Sequence, residues 1–202
     1  MTISIDKIVD GFPHPNIAPI VGIATYKSIT ELNLQLNANA ASMQSNLGDG
    51  QLGLLALTVS PAVFNTLSAV AFVHPVNPGT NPVIPLGATT HVTSHLTCVF
   101  ATQKAIFREH HATDNALKQQ VIACVDGMYL QTLSHRVTGF ANVTTRQFLV
   151  HLYAALPADL IANDTKMKSG YDPNLPIESF INQIEDGVAL ANVLVACSSS
   201  CH

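Results

Sequence analysis

Charge is scarce in this sequence. Only 11% of its 202 residues are Asp, Glu, Lys or Arg, less than half of the roughly 25% usual in a globular domain. Nine Lys and Arg against thirteen Asp and Glu leave a net charge of −4. General affinity for RNA or DNA rests on neutralised phosphates, so this balance excludes strong nucleic-acid binding by the chain alone. Long apolar runs are also missing. None reaches the ~20 residues needed to cross a bilayer, and the longest, Val188 to Cys197, reads as the end of a buried helix. Met1 is followed closely by Asp6, Lys7 and Asp10, without the apolar segment of a secretory signal. A cytoplasmic location with reduced thiols is expected. Cys98 and Cys124 then read as plain core residues.

Motifs that carry chemistry are equally sparse. There is no G-x-S-x-G elbow, no G-x-x-x-x-G-K-[ST] loop and no Asp-Thr-Gly or Asp-Ser-Gly of an aspartic protease. Gly48-Asp-Gly-Gln-Leu-Gly53 matches G-x-G-x-x-G, but a helical pattern precedes it and no acid follows about 20 residues later. It reads as a turn in which glycines supply positive φ. His91 and His95 would share a helix face, yet lack the glutamate and third ligand of a zinc site. His110 and His111 point apart and read as surface residues. Cys197-x-x-x-Cys201-His202 cannot close a zinc knuckle, and Asp159 and Asp164 read as exposed acids. The Asp-Gly pairs at 10, 49, 126 and 186 read as turns or helix positions. No residue is put forward as catalytic, cofactor-binding or metal-binding, and no cofactor or small-molecule substrate is expected.

What is present is apolar surface at helical spacing. Hydrophobic residues make up 48% of the chain, and so sparsely charged a chain exposes apolar surface that wants a partner. Residues 1–24, with Pro13, Pro15 and Pro19, read as an irregular arm, extended unless it docks on something. Residues 25–74 read as an N-terminal helical part. Ser28 and Glu31 have capping-box spacing, and Ile29, Leu32, Leu36 and Ala40 give the inner face of a helix ending near Met43. Ser60-Pro61 starts another helix, continued by Val63, Phe64, Leu67, Val70 and Ala71. Residues 75–87 form a Pro-rich linker.

Residues 88–202 read as a C-terminal helical domain. Val92, Leu96, Val99, Phe100 and Phe107 pattern a helix from Ala88 to Glu109. A second, N-capped by Asp114, carries Leu117, Val121, Cys124, Val125 and Met128 and runs to near His135. Thr144 and Gln147 have the spacing of a reciprocal capping box ahead of Phe148, Leu149, Leu152 and Tyr153. Pro157 suits the first turn of a short helix. A last helix begins near Pro176, with Ile177, Phe180, Ile181, Ile184, Val188, Ala191 and Val195 on one face and Glu178, Glu185 and Asp186 off it. Lys104, Arg108, Lys118, Arg136 and Arg146 outweigh Glu109, Asp114 and Asp126 in the middle of the chain, and acids dominate after Pro157.

Several of these stretches carry a family likeness. Ala116-Leu-Lys-Gln-Gln, Val125-Asp126, Tyr129-Leu130, Thr138-Gly139, Ala141 to Gln147, His151-Leu-Tyr, Asp159-Leu160, Tyr171-Asp-Pro, Pro176-Ile-Glu and Gln183-Ile-Glu-Asp, in this order, resemble the Gag (capsid-like) region of copia-type LTR retrotransposons. Thr25-Tyr-Lys-Ser-Ile-Thr-Glu-Leu and Ser45-Asn-Leu-Gly fit the same pattern, so the likeness spans about residues 25 to 195. The resemblance implies a mainly α, multi-helix capsid-like bundle and a structural role, copies assembling into a shell around element RNA. The short turn Tyr153-Ala-Ala-Leu-Pro157, and the lack of the further helices and nucleic-acid-binding tail the resemblance implies, are departures that fit a truncated, decayed or repurposed copy. The expected partner is the chain itself, with RNA binding weak and no membrane. The other readings are a host-adapted helical module that binds one protein partner, and a small nucleotide- or metal-dependent enzyme.

Overall fold

The strongest helix starts are where a side-chain oxygen meets the first free N–H groups of a helix. In the computed structural model, which describes residues 4–22 and 24–155, they open α2 (Tyr26–Ser42), α3 (Pro61–Leu67), α4 (Thr90–Cys124), α5 (Gly127–Leu130) and α6 (Thr145–Ala154). A short α1 (Ile5–Asp10) precedes them, and single 3-10 turns lie at Leu55–Leu57 and Gln131–Leu133. The protein is mainly α-helical, and the described residues contain no strand beyond an isolated antiparallel bridge between His135 and Gly139. No helix among them is long and apolar enough to cross a membrane.

The second half of α4 organises the core. Its Ala116, Leu117, Val121 and Cys124 pack with Ile29, Leu32, Leu36 and Ala40 of α2, Ile8 of α1, and Phe148, Leu149 and Leu152 of α6. The stripe expected on α2 is therefore buried as read, and so is that of α6. The Thr144–Gln147 capping box is formed in both directions: Gln147 N–H donates to Thr144 Oγ1 at 3.2 Å and Thr144 N–H donates to Gln147 Oε1 at 2.8 Å. At α2 the box lies three residues earlier than expected. Thr25 is the extended cap residue, and its partner is Ser28 rather than Ser28 pairing with Glu31.

The largest correction concerns α4. Two helices were expected, ending at Glu109 and starting at Asp114; one unbroken helix of 35 residues runs through both. Nothing between Glu109 and Asp114 is a Gly or Pro, so no residue there stops the helix. Asp114 does cap a helix, but another one. Its Oδ1 accepts from Thr145 N–H at 3.0 Å and from the Thr145 hydroxyl at 2.8 Å, at the first residue of α6. The expected continuation to His135 is broken at Val125, because Asp126 turns its carboxylate to Met128 N–H (2.9 Å) and caps α5 instead.

The N-terminal arm docks. It contains α1, and its remaining stretch lies against α4: Ile20 N–H donates to Cys124 O at 2.8 Å, and Cys124 Sγ donates to Ile17 O at 3.4 Å. Asn39 and Gln120, both buried, hold its backbone. Asn39 Oδ1 accepts from His14 N–H (2.8 Å), its amide donates to His14 O and to Gln120 Oε1 (2.9 Å each), and Gln120 Nε2 donates to His14 O and Pro15 O (2.9 and 3.1 Å). One core cluster thus draws on residues 1–24, 25–74 and 88–155 alike. The 75–87 segment is non-helical.

A smaller cluster forms around Phe64, with Leu55 and Ala56 buried and Leu52, Val59 and Phe72 partly so. Ser60 caps α3 as expected, but of the apolar stripe expected there only Phe64 buries. Val63 and Leu67 are exposed, and Val70 and Ala71 lie beyond the helix. Ser68 ends it by bonding its hydroxyl to the backbone of Val70, a local alternative to another helical turn. The helices expected at Pro157 and Pro176, together with Asp159, Asp164, Cys197, Cys201 and His202, lie outside the described residues.

Gly48, Gly50 and Gly53 all have positive φ, as a turn requires. Gly53 is the tightest. A Cβ there would meet the carbonyl oxygens of Ala41 and Met43 at the end of α2, while Leu54 N–H donates to Ala40 O at 3.0 Å. Gly53→Ala is expected to cost about 3 kcal/mol, from left-handed strain plus the collision. Thermal unfolding checks it: a midpoint drop of about 6–12 °C is expected.

Candidate functional site

Two of the concavities on the described surface, and a histidine cluster, are built on α4 or α6. A cleft of about 280 Å³ lies between the glycine turn and α4, lined by Leu47, Leu54, Ile106, Glu109 and His110 among others. A second, about 700 Å³, follows α6 past His135, Arg146, Gln147 and His151. The glycine turn is preceded by α2 and followed by a 3-10 turn, so no helix opens on it as a dinucleotide-binding loop requires.

Five of the described histidines bear on α4 and α6. His91 and His95 are exposed on α4, as read. His151 joins α6 to the α5 region, its Nε2 lying 2.9 Å from Tyr129 O and 3.0 Å from Thr132 Oγ1. His110 is not the surface residue expected. It is half-buried, and its Nε2 lies 3.1 Å from Nδ1 of His74, with Phe72 packed against both rings. Phe72 in turn meets Phe64 edge-on at 5.5 Å. The pair therefore ties the segment after α3 to the middle of α4. Nothing local signals it, because the two residues are 36 apart in the chain and neither lies on an apolar stripe that predicts the other.

Burial, and then the neighbouring His74, push His110 down to about 4, and burial lowers His74 as well. Both rings are neutral at pH 7, so one donates and the other accepts. The folded protein binds the His110 proton less readily than the unfolded chain, whose histidine titrates near 6.5. Stability contributed by this site is complete above pH 6.5, falls as pH drops toward 4, and changes no further below it. His110→Gln is expected to flatten that part of the urea-stability profile between pH 6.5 and 4, leaving the carboxylate-driven loss at lower pH.

The cations in the middle of the chain are not all on the surface. Lys118 Nζ pairs with Asp114 Oδ2 at 3.6 Å, and the two side chains are 8% and 9% exposed. Lys104 lies over the Phe100 ring at 5.2 Å, and Arg108 is exposed on the same half of α4. Among the described residues no three His, Cys, Asp or Glu side chains converge as a metal site.

No family model, curated protein or solved structure matches the chain.

The chain's most distinctive surface is apolar. Between residues 70 and 86 the large aliphatic side chains face outward: Val73, Val76 and Val83 are 72%, 83% and 89% exposed, and Leu86 is fully exposed. Prolines at 75, 78, 82 and 85 interleave with them, removing backbone donors and holding the segment out of helix. The sequence shows these prolines but not the exposure, since apolar residues beside a linker do not reveal whether they pack inward.

Proposed function

We propose that this chain is a Gag-like structural protein of the cytoplasm that associates with further copies of itself. The observation that carries the reading is the exposed aliphatic segment 70–86, next to the exposed Val63 and Leu67 of α3. A row of large aliphatic side chains left in water along one stretch is the kind of surface a partner covers. The mainly helical fold and the resemblance of residues 25 to 195 to copia-type Gag support the same reading. Repeated weak contacts of this kind gain strength when many copies bind at once, which is how a shell closes from marginal interfaces. RNA enclosed by such a shell would be held by the assembly, since a chain of net charge −4 has little attraction for phosphates.

The experiment replaces Val73, Val76, Val83 and Leu86 together by Ser. These side chains are solvent-facing, so the fold is expected to persist with unchanged helical circular dichroism. Sedimentation velocity of the native sequence is expected to show species that grow with concentration, and the variant is expected to remain monomeric. Equal sedimentation of the two would contradict the role given to this segment.

A further inference from the structure

Only one proton fits between His74 and His110. Their facing nitrogens are 3.1 Å apart and their ring centroids 5.3 Å, so His74 Nδ1 and His110 Nε2 point at each other nearly head-on. In the neutral pair, one N–H donates to the lone pair of the other ring. A first added proton goes to the far nitrogen of the donor ring and strengthens the bond. A second must go to the accepting nitrogen, which sets N–H against N–H and cation against cation. The contact ends there. What it holds is the start of the aliphatic segment. Among the described residues it is the one hydrogen bond from residues 72–86 to another element. Phe72 lies between the pair and the core: its ring is 5.1 Å from His74, 6.1 Å from His110 and 5.5 Å from the buried Phe64.

We propose that this pair is an acid-operated catch on the association surface: it holds Phe72 and the start of the 70–86 segment against α4, and a second proton releases them and strengthens contact between copies. The proposal rests on the self-association read for that segment. On release Phe72 joins the exposed aliphatic row and uncovers Phe64, so a released copy presents more apolar surface than a held one. The surrounding charges do not neutralise a doubly protonated pair. Asp114 on α4 is engaged by Thr145 and Lys118. Glu109 neighbours His110 on the exposed side of α4, and Asp49 of the glycine turn is bonded to Gln51 N–H at 3.0 Å. His111 on α4 and Arg146 on α6 repel further positive charge. The stretch from Ser68 to Leu86 holds no titratable side chain except His74. Held His110 titrates at about 4 and a freed histidine near 6.5, so falling pH drives release. The gain is at most roughly 300-fold for that one group, and it is absent above pH 6.5.

The test reads the catch and the association separately in the full chain. Phenylalanine is replaced throughout by a ring-fluorinated analogue, and the fluorine resonance of Phe72 is identified by its loss in Phe72→Leu. As pH falls from 6.5 toward 4, that resonance is expected to move toward the position of the free amino acid. In His110→Gln it is expected to stay in place, because a glutamine amide accepts from a charged His74 as well as it donates to a neutral one. His74→Gln is expected to behave alike from the other side. A Phe72 resonance that stays in place in the native sequence, or moves equally in both glutamine variants, would overturn the catch. Sedimentation velocity over the same range reads association. At the acid end the average mass of the native sequence is expected to exceed that of His110→Gln at least twofold at equal concentration. Equal masses, in a native chain that does associate, would overturn the link between release and association. The variant with Ser at 73, 76, 83 and 86 separates the two readings. Its Phe72 resonance is expected to move with pH although it stays monomeric. A native chain that associates at no pH would contradict the role of the segment and overturn the acid control of association, and the Phe72 resonance would still decide the catch.

Discussion

Replacing Asp114 by Ala is expected to lower the unfolding free energy by about 4 kcal/mol, in the range for breaking a buried ion pair by removing one partner. Asp114 is the joint between α4 and α6. Its carboxylate takes the Thr145 N–H and hydroxyl at the first turn of α6 and faces Lys118 Nζ at 3.6 Å. Alanine would leave the Lys118 ammonium buried without a counter-charge and the Thr145 N–H without an acceptor. Each loss alone is costly in a low-dielectric surrounding. In a chain of this length about 4 kcal/mol lowers the thermal midpoint by roughly 8–16 °C. The pair Asp114→Leu with Lys118→Met removes the charge problem and is expected to recover more than half of the loss, because apolar groups of similar volume replace buried ion pairs well. Equilibrium urea unfolding of the two variants checks both statements. A cost below about 1 kcal/mol for Asp114→Ala would mean that the joint is solvated and minor.

The second large effect is expected at Asn39. Asn39→Leu keeps the volume and removes the two side-chain hydrogen bonds that Asn39 makes to the arm and the one it makes to Gln120. His14 N–H loses its acceptor and Gln120 Oε1 loses its donor. Leaving the buried Gln120 amide oxygen and the part-buried His14 N–H unpaired is expected to cost about 3 kcal/mol in total, at about 1–3 kcal/mol for each group. The damage is local first. Ile17 and Ile20 pack on the core only while the arm stays docked, so limited proteolysis should cut within residues 12–22 faster in the variant, before global unfolding. Gln120→Leu should reproduce the effect, because the same network fails from its other end. A variant that loses stability but shows no faster cleavage in the arm would place the network's role elsewhere.

These two residues also show what a sequence can and cannot reveal about this fold. The helix stripe of α2 and the Thr144–Gln147 box of α6 are local, with partners within a few turns, and both form as read. Asp114 has the right chemistry for a cap, but its partner Thr145 lies 31 residues away, so the residue type points to a helix start while the pattern cannot say which helix. The arm is harder still. It is held through the backbone of His14 and Pro15 by amide side chains 25 to 106 positions distant, and no hydrophobic periodicity records that. The His74–His110 pair is hidden for the same reason. The α3 stripe misleads in the opposite direction. Val63 and Leu67 have helical spacing yet face solvent, because periodicity shows that a face exists and leaves open whether the chain itself covers it. The exposed 70–86 segment that follows α3 in the chain is the feature on which the proposed function rests.

The measurement that bears most directly on that function is light scattering of the unmodified full chain across a concentration series, followed by electron microscopy of the most concentrated sample. A Gag-like protein that works through its exposed aliphatic surface predicts a mass that climbs with concentration and particles or lattice fragments in the micrographs. A mass that stays at one monomer throughout, with empty fields, would contradict the account.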